Sequence, residues 1–192
     1  MYISFDNKDW LLDKLCYAYT NRFKETPLLH QENDYLFNSL NPSGSDQKYG
    51  YVSVVTKQKV TSPIKLITRF SFEGLAAPLI TMVKDLRIDQ NGNMRYDDYK
   101  EIVVWKNGIN VWNLWKNKEK IIYDKLLALN FNVSENEIHT LEVIIEKDSF
   151  TFTLDGATTF LRIDDMYQTF HLGITACEGI CKFYDLEIGE LA

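Results

Sequence analysis

A chain of 192 residues, 45% hydrophobic and 25% charged, has the size and composition of one globular domain. A net charge of −6 argues against a phosphate-binding surface, so no nucleic-acid partner is expected. No apolar run approaches the roughly 20 residues that span a bilayer, and the N-terminus has no basic segment leading into an apolar one, so a cytoplasmic protein without a membrane partner is expected.

The alternation of apolar and polar residues reads as strands along most of the chain. Residues 2–6 form a short strand. Residues 8–25 are ambiguous, because Trp10, Leu11, Leu15 and Ala18 approximate helical spacing and fit a turn or two of helix before a strand. Pro27 resets the chain, residues 28–37 read as a strand, and 41–46 is the clearest loop. Residues 49–56 are β-rich, and 64–72 alternate strongly after the break at Ser62-Pro63. Residues 74–78 turn into a short apolar strand at 79–83, and 89–93 turn again.

Residues 100–116 read as a β-hairpin with Asn107-Gly108 as its two-residue turn, since both residues tolerate the positive φ of a type I′ turn. That register sets Trp105 against Asn110, Val104 against Val111 and Val103 against Trp112. Ile102, Val104, Ile109 and Val111 then share an aliphatic face suited to a core, with Trp115 on the same side. Glu101, Val103, Trp105, Asn110, Trp112 and Leu114 share the other. Two indoles beside a carboxylate and an amide are unusual for a buried face and costly on an idle exposed one.

Residues 120–131 continue as β, and 132–136 form a polar loop. Residues 140–146 pair through Asp148-Ser149 with 150–154, setting Ile145 beside Phe152 and Val143 beside Leu154, and Asp155-Gly156 turns next. Residues 170–176 pair through Glu178-Gly179 with 182–188. Roughly eleven to thirteen short strands at a spacing of about 8–12 residues, without a βαβ rhythm or a repeat, describe a single all-β domain. Two curved antiparallel sheets packed face to face are expected, one outer face being concave.

The stretch 142–156, a strand, turn and strand ending in Leu-Asp-Gly, and the stretch 170–188, ending in Phe-Tyr-Asp-Leu-Glu-Ile, together resemble the concanavalin A-like lectin/glucanase superfamily. The resemblance covers residues 138–188 and implies a jelly-roll β-sandwich whose last strands return beside the N-terminal strand. The superfamily spans lectins, carbohydrate-binding modules, glycoside hydrolases, polysaccharide lyases and interaction domains, so fold does not choose the function.

The leading site is the face of Trp105, Trp112, Glu101 and Asn110. Sugar rings stack their C–H faces on indoles, and their hydroxyls need carboxylate and amide partners. An oligo- or polysaccharide is the expected ligand, and the alternative is that both indoles fill the core. A carbohydrate-active enzyme would draw its acid and base from Glu101 with His171 or Asp98 on the same face. An association domain would use the Trp cluster as an interface hot spot. Superfamily glucanases carry Glu-x-Asp-x-Glu on one strand face. Phe183, Asp185 and Glu187 occupy such a face here, but Phe183 replaces the first carboxylate, so no catalytic role is carried over. Asp89, Asn91 and Asn93 offer oxygens to a structural Ca²⁺, which takes about six to eight, yet Met94 stands where a calcium loop needs Gly, and a plain turn is expected with no cofactor. Three cysteines, Cys16, Cys177 and Cys181, do not form a disulfide framework; Cys177 and Cys181 could meet across a turn but are expected reduced.

Overall fold

The computed structural model describes residues 1–6, 10, 13–38, 50–118 and 120–191. The loop expected at 41–46 and part of the ambiguous segment lie outside the described residues. Among the described residues the alternating pattern becomes nineteen strands. In chain order they begin with β1 (Tyr2–Ser4), β2 (Leu15–Thr20), β3 (Leu29–Glu32), β4 (Tyr35–Asn38), β5 (Val52–Thr56) and β6 (Val60–Thr61). There follow β7 (Ile64–Glu73), β8 (Ala77–Val83), β9 (Arg87–Ile88), β10 (Met94–Tyr96), β11 (Tyr99–Trp105), β12 (Gly108–Asn117) and β13 (Lys120–Asn130). The chain closes with β14 (His139–Ile145), β15 (Ser149–Leu154), β16 (Ala157–Arg162), β17 (Thr169–Cys177), β18 (Ile180–Phe183) and β19 (Asp185–Glu190). No helix occurs among these residues: Leu15 and Ala18 belong to β2. The segment read as one strand at 28–37 is a hairpin, β3 to β4, reversed at Asn33 with φ 50°.

Two sheets result. The smaller orders β16-β15-β14-β7-β18-β4-β3, with β19 also on β7 and β1 on β19, so the last strand does return beside the first. The larger orders β13-β12-β11-β8-β17-β5-β2-β10-β9, and its pairs are antiparallel except for β10 with β2. Between the sheets lies the main core. Leu66, Leu141, Val143, Phe150 and Phe152 come from the smaller sheet, and Ile80, Ile102, Val104, Ile109, Val111, Leu172 and Ile174 from the larger. The aliphatic face of the 100–116 hairpin is therefore core, as its pattern predicts. Trp115 is not; it is half-buried near the end of the hairpin.

The hairpin register differs from the expected one. Trp105 pairs with Gly108, Val104 with Ile109, Ile102 with Val111 and Glu101 with Trp112, so the turn is Lys106-Asn107. Gly108 already belongs to β12, at φ 133°, and its missing side chain admits the neighbouring strand: a Cβ there would lie 1.9 Å from the Leu129 carbonyl oxygen. The β14–β15 hairpin shifts the same way, with Ile145 on Phe150 and Val143 on Phe152. In both cases the turn sits one residue earlier than expected. Each strand slides by one, the offset changes by two, and every side chain keeps its face.

The expected final hairpin is a switch between sheets. β17 pairs with β5, β6 and β8 in the larger sheet, whereas β18 pairs with β4 and β7 in the smaller. The crossing at Glu178-Gly179 is fastened by Asn38, whose Oδ1 accepts from Cys181 N at 2.8 Å and whose Nδ2 donates to Gly179 O at 2.6 Å. A break at Tyr184 separates β18 from β19, so Phe183, Asp185 and Glu187 do not share one strand face. Phe183 is core, Glu187 is exposed, and Asp185 accepts from Arg69 N at 2.9 Å and Arg69 Nε at 2.5 Å.

Candidate functional site

The outer face of the larger sheet carries the residues in phase with Glu101. β11 contributes Tyr99, Glu101, Val103 and Trp105; β12 contributes Asn110, Trp112 and Leu114. In the ladder Glu101 sits beside Thr81 of β8, and β17 follows with Thr175 and Cys177. Part of this face is covered from within the chain. Tyr96 and Tyr99 pack edge to face at 4.8 Å over Ala18, Val55, Val83 and Leu114, and both are wholly buried. Beneath them runs a line of hydroxyls: Tyr96 Oη to Ser53 Oγ at 2.7 Å, Ser53 to Thr175 at 2.7 Å, and Thr175 to Thr81 at 2.6 Å. Each buried hydroxyl is thus satisfied by its neighbour.

Beside that cover a cleft of about 370 Å³ stays open, a volume in the range of small-ligand sites. Its aromatic lining is Trp105, Trp112, Tyr51 and Tyr123; its polar lining includes Glu101, Asn110, Arg22 and Glu178. Trp105 and Trp112 are half-buried, so the indoles lie in the cleft wall instead of the inter-sheet core. Trp105 packs with Tyr51, Leu79 and Val103, and its Nε1 is buried without a hydrogen-bond partner among the described residues. The Lys125 ammonium stands 4.6 Å from the centre of the Trp112 ring, a cation–π contact that covers part of that indole.

Glu101 lies deeper than a rim carboxylate. It is only 5% exposed, and the Tyr51 hydroxyl donates to its Oε1. Burial raises its pKa to about 7, with the Tyr51 hydrogen bond and the Arg22 charge opposing the rise. Burial works against the Arg22 charge as well, but Tyr99, Tyr51 and Glu101 more than offset it and hold the guanidinium above its ordinary range. The Cys177 thiol also lines the cleft. Burial, then Glu178 and Glu101, push its pKa well up, which disfavours the thiolate. Cys177 and Cys181 are free thiols, and burial pushes Cys181 up to about 12.

The four residues expected to share a binding face, Glu101, Trp105, Asn110 and Trp112, all line this one cleft. The expected acid–base pairs are not assembled. His171 is in phase with Thr175 but lies farther along β17, where its Nδ1 is 2.8 Å from the Thr56 carbonyl oxygen and its charged neighbours are Lys59 and Asp85. Asp98 accepts from Lys116 N at 3.1 Å and lines a separate polar cleft with Asp85, Arg87 and Asp97. The calcium candidates form a closed turn. Asp89 accepts from Asn91 N at 2.8 Å, Asn93 N at 2.9 Å and Arg95 Nε at 3.0 Å, and Asn93 turns its amide nitrogen toward the same carboxylate. A cation there would have to displace a guanidinium, and among the described residues no group of His, Cys, Asp and Glu side chains is arranged to hold a metal. Arg22, Tyr51, Tyr99, Tyr123 and Glu178 escape the sequence reading. Tyr99 alone had a signal, being in phase with Glu101 two residues earlier on the same strand.

Several solved structures share this architecture. β-Agarase A in complex with oligoagarose superposes with a TM-score of 0.74 at 10% identity, over 100% of this chain and 91% of that one. Carbohydrate-binding module CBM66 from Bacillus subtilis superposes with a TM-score of 0.63 at 11% identity, over 85% of this chain and 92% of that one. The fold is the concanavalin A-like jelly roll. No protein-family model and no curated protein matches the sequence. At such identities the likeness concerns the jelly roll alone, which carries a binding module in one of these structures and an agarase in the other.

Proposed function

We propose that this chain binds a carbohydrate in the cleft on the outer face of the larger sheet. The observation that carries the reading is the joint lining of one cleft by two half-buried indoles, an amide and a buried carboxyl. Indoles give a sugar ring an apolar surface, and Asn110 and Glu101 offer hydroxyl partners at its edge. Below pH of about 7 Glu101 is largely protonated and can donate as well as accept. That structural neighbours with this fold include a carbohydrate-binding module and an enzyme holding oligoagarose supports the ligand class.

The test is tryptophan fluorescence of the whole chain, titrated with an oligosaccharide panel that includes agaro-oligosaccharides, with product analysis of every binder. Saturable quenching is expected. Trp105→Ala and Trp112→Ala should each weaken binding roughly tenfold or more while urea unfolding stays cooperative. Flat titrations across the panel would overturn the reading.

The burial of Glu101 in the cleft lining favours hydrolysis as a second reading: burial raises this carboxyl's pKa to about 7, a proton affinity suited to a general acid. The other carboxylate lining the cleft is Glu178, exposed on the β17–β18 turn. Shortened sugars in the product analysis, absent with Glu101→Gln, would select the enzyme.

A further inference from the structure

We propose that the carbohydrate taken by this cleft is acidic, with Arg22 receiving a carboxylate or sulfate group on the sugar. The inference rests on the carbohydrate reading above and narrows its ligand class. The chain has five arginines. Four have a carboxylate within ion-pair distance: Arg69 with Asp185, Arg87 with Asp97, Arg95 with Asp89 and Arg162 with Asp148. Arg22 has none among the described residues, and it is the arginine that lines the cleft.

Its surroundings hold the guanidinium without neutralising it. The rings of Phe23, Tyr51 and Tyr123 stand 5.0, 5.6 and 5.0 Å from its central carbon, and its Nη1 donates to Tyr99 Oη at 3.2 Å. Three aromatic contacts and one hydrogen bond fix the plane of the group and leave most of its five N–H donors unspent. A planar fork of this kind fits the paired oxygens of a carboxylate or sulfate. Glu101, the carboxyl group at the cleft floor, is engaged by Tyr51 and disfavoured as an anion by burial, so it neutralises Arg22 poorly below neutral pH. The exposed ammonium of Lys125 over Trp112 adds a second cation at the wall. Glu178 opposes an anionic ligand, but it is exposed and solvent screens it.

The test titrates the whole chain with matched pairs that differ only in charge. One pair is an oligogalacturonate and its fully methyl-esterified form; the other is a sulfated galactan oligosaccharide and its desulfated form. The acidic member of one pair should bind roughly ten- to a hundredfold tighter, with the advantage shrinking in high salt. The pair that shows it separates a carboxylate from a sulfate ligand. Arg22→Gln should abolish the advantage, and Arg22→Lys should retain part of it. Equal binding within both pairs, or an advantage that survives Arg22→Gln, overturns the proposal and leaves carbohydrate binding standing. No binding to any of the four overturns the acidic-ligand proposal, while the carbohydrate reading stands or falls on the wider panel. The wild-type comparison decides the matter even where Arg22→Gln does not fold.

Discussion

Gly173→Ala is expected to destabilise the protein by about 3 kcal/mol, at the upper end for adding a methyl group to a packed interior. Gly173 lies mid-strand in β17, paired with Val55 of β5 on one side and Thr81 of β8 on the other. A Cβ there would lie 1.9 Å from the Val54 carbonyl oxygen and 2.7 Å from the Val55 Cα. Both obstacles are backbone, so no side-chain rotation relieves them, and two central strands would have to separate. For a chain of this length the melting temperature should drop by roughly 10 °C. Gly189→Ala is the control: it is also a strand glycine, but its Cβ would meet nothing within 4 Å, and its effect should stay within about 0.5 kcal/mol. Urea unfolding of both variants measures the difference through the midpoint at constant slope. Equal midpoints would mean that β5 and β17 are not held as close as Val54 and Gly173 imply. The same separation would pull Ser53 from Thr175, which bond at 2.7 Å beneath Tyr96, so a destabilised Gly173→Ala protein should also bind ligand less tightly.

The faces of the strands were legible in the sequence because they depend only on phase. Ile102, Val104, Ile109 and Val111 turn inward and Glu101, Trp105, Asn110 and Trp112 outward whichever residues form the turn, since both hairpin errors slid each strand by one and preserved parity. Turn position was less legible. Asn107-Gly108 has the composition of a type I′ turn, but Gly108 is needed one place later, where the Leu129 carbonyl approaches it. That requirement comes from β13, a strand the hairpin pattern does not contain. Glu178-Gly179 misled for a related reason: a tight reversal has the same residues whether its two strands pair or, as here, part into different sheets.

The candidate site was half legible by the same logic. Its β11–β12 wall follows from alternation within 20 residues of chain. Arg22 and Tyr51 reach Glu101 across long sequence separations, through the neighbour order β11-β8-β17-β5-β2, which no local period encodes. Burial of Glu101 has the same origin. The carboxylate looks like a rim group in its own strand, and it becomes a floor only when Tyr51 from the segment before β5 closes over it.

Glu101 therefore leads to the other large effect, a stability that depends on pH through one residue. Its folded pKa, about 7, lies above the ordinary carboxyl value of 4.5, so between those values the folded chain binds a proton that the unfolded chain releases. The stabilising contribution is fully present below pH of about 4.5, declines as pH rises through about 7, and is gone above it. Across that window the change is about 3 kcal/mol. Glu101→Gln cannot ionise, and its amide oxygen can still accept from Tyr51. All other titrating groups are common to both proteins and cancel in the difference. Wild type minus Glu101→Gln should thus fall by about 3 kcal/mol between pH 4 and pH 8.5, with the variant gaining relative stability at the alkaline end. Tyr51→Phe, which removes the hydrogen bond that favours the ionised form, should move the midpoint of the decline to higher pH. Urea unfolding of the three proteins at a series of pH values measures this. A difference that stays flat would mean that solvent reaches the Glu101 carboxylate. Its proton could not then reside at the floor of the cleft near neutral pH, and the hydrolase reading would lose its acid.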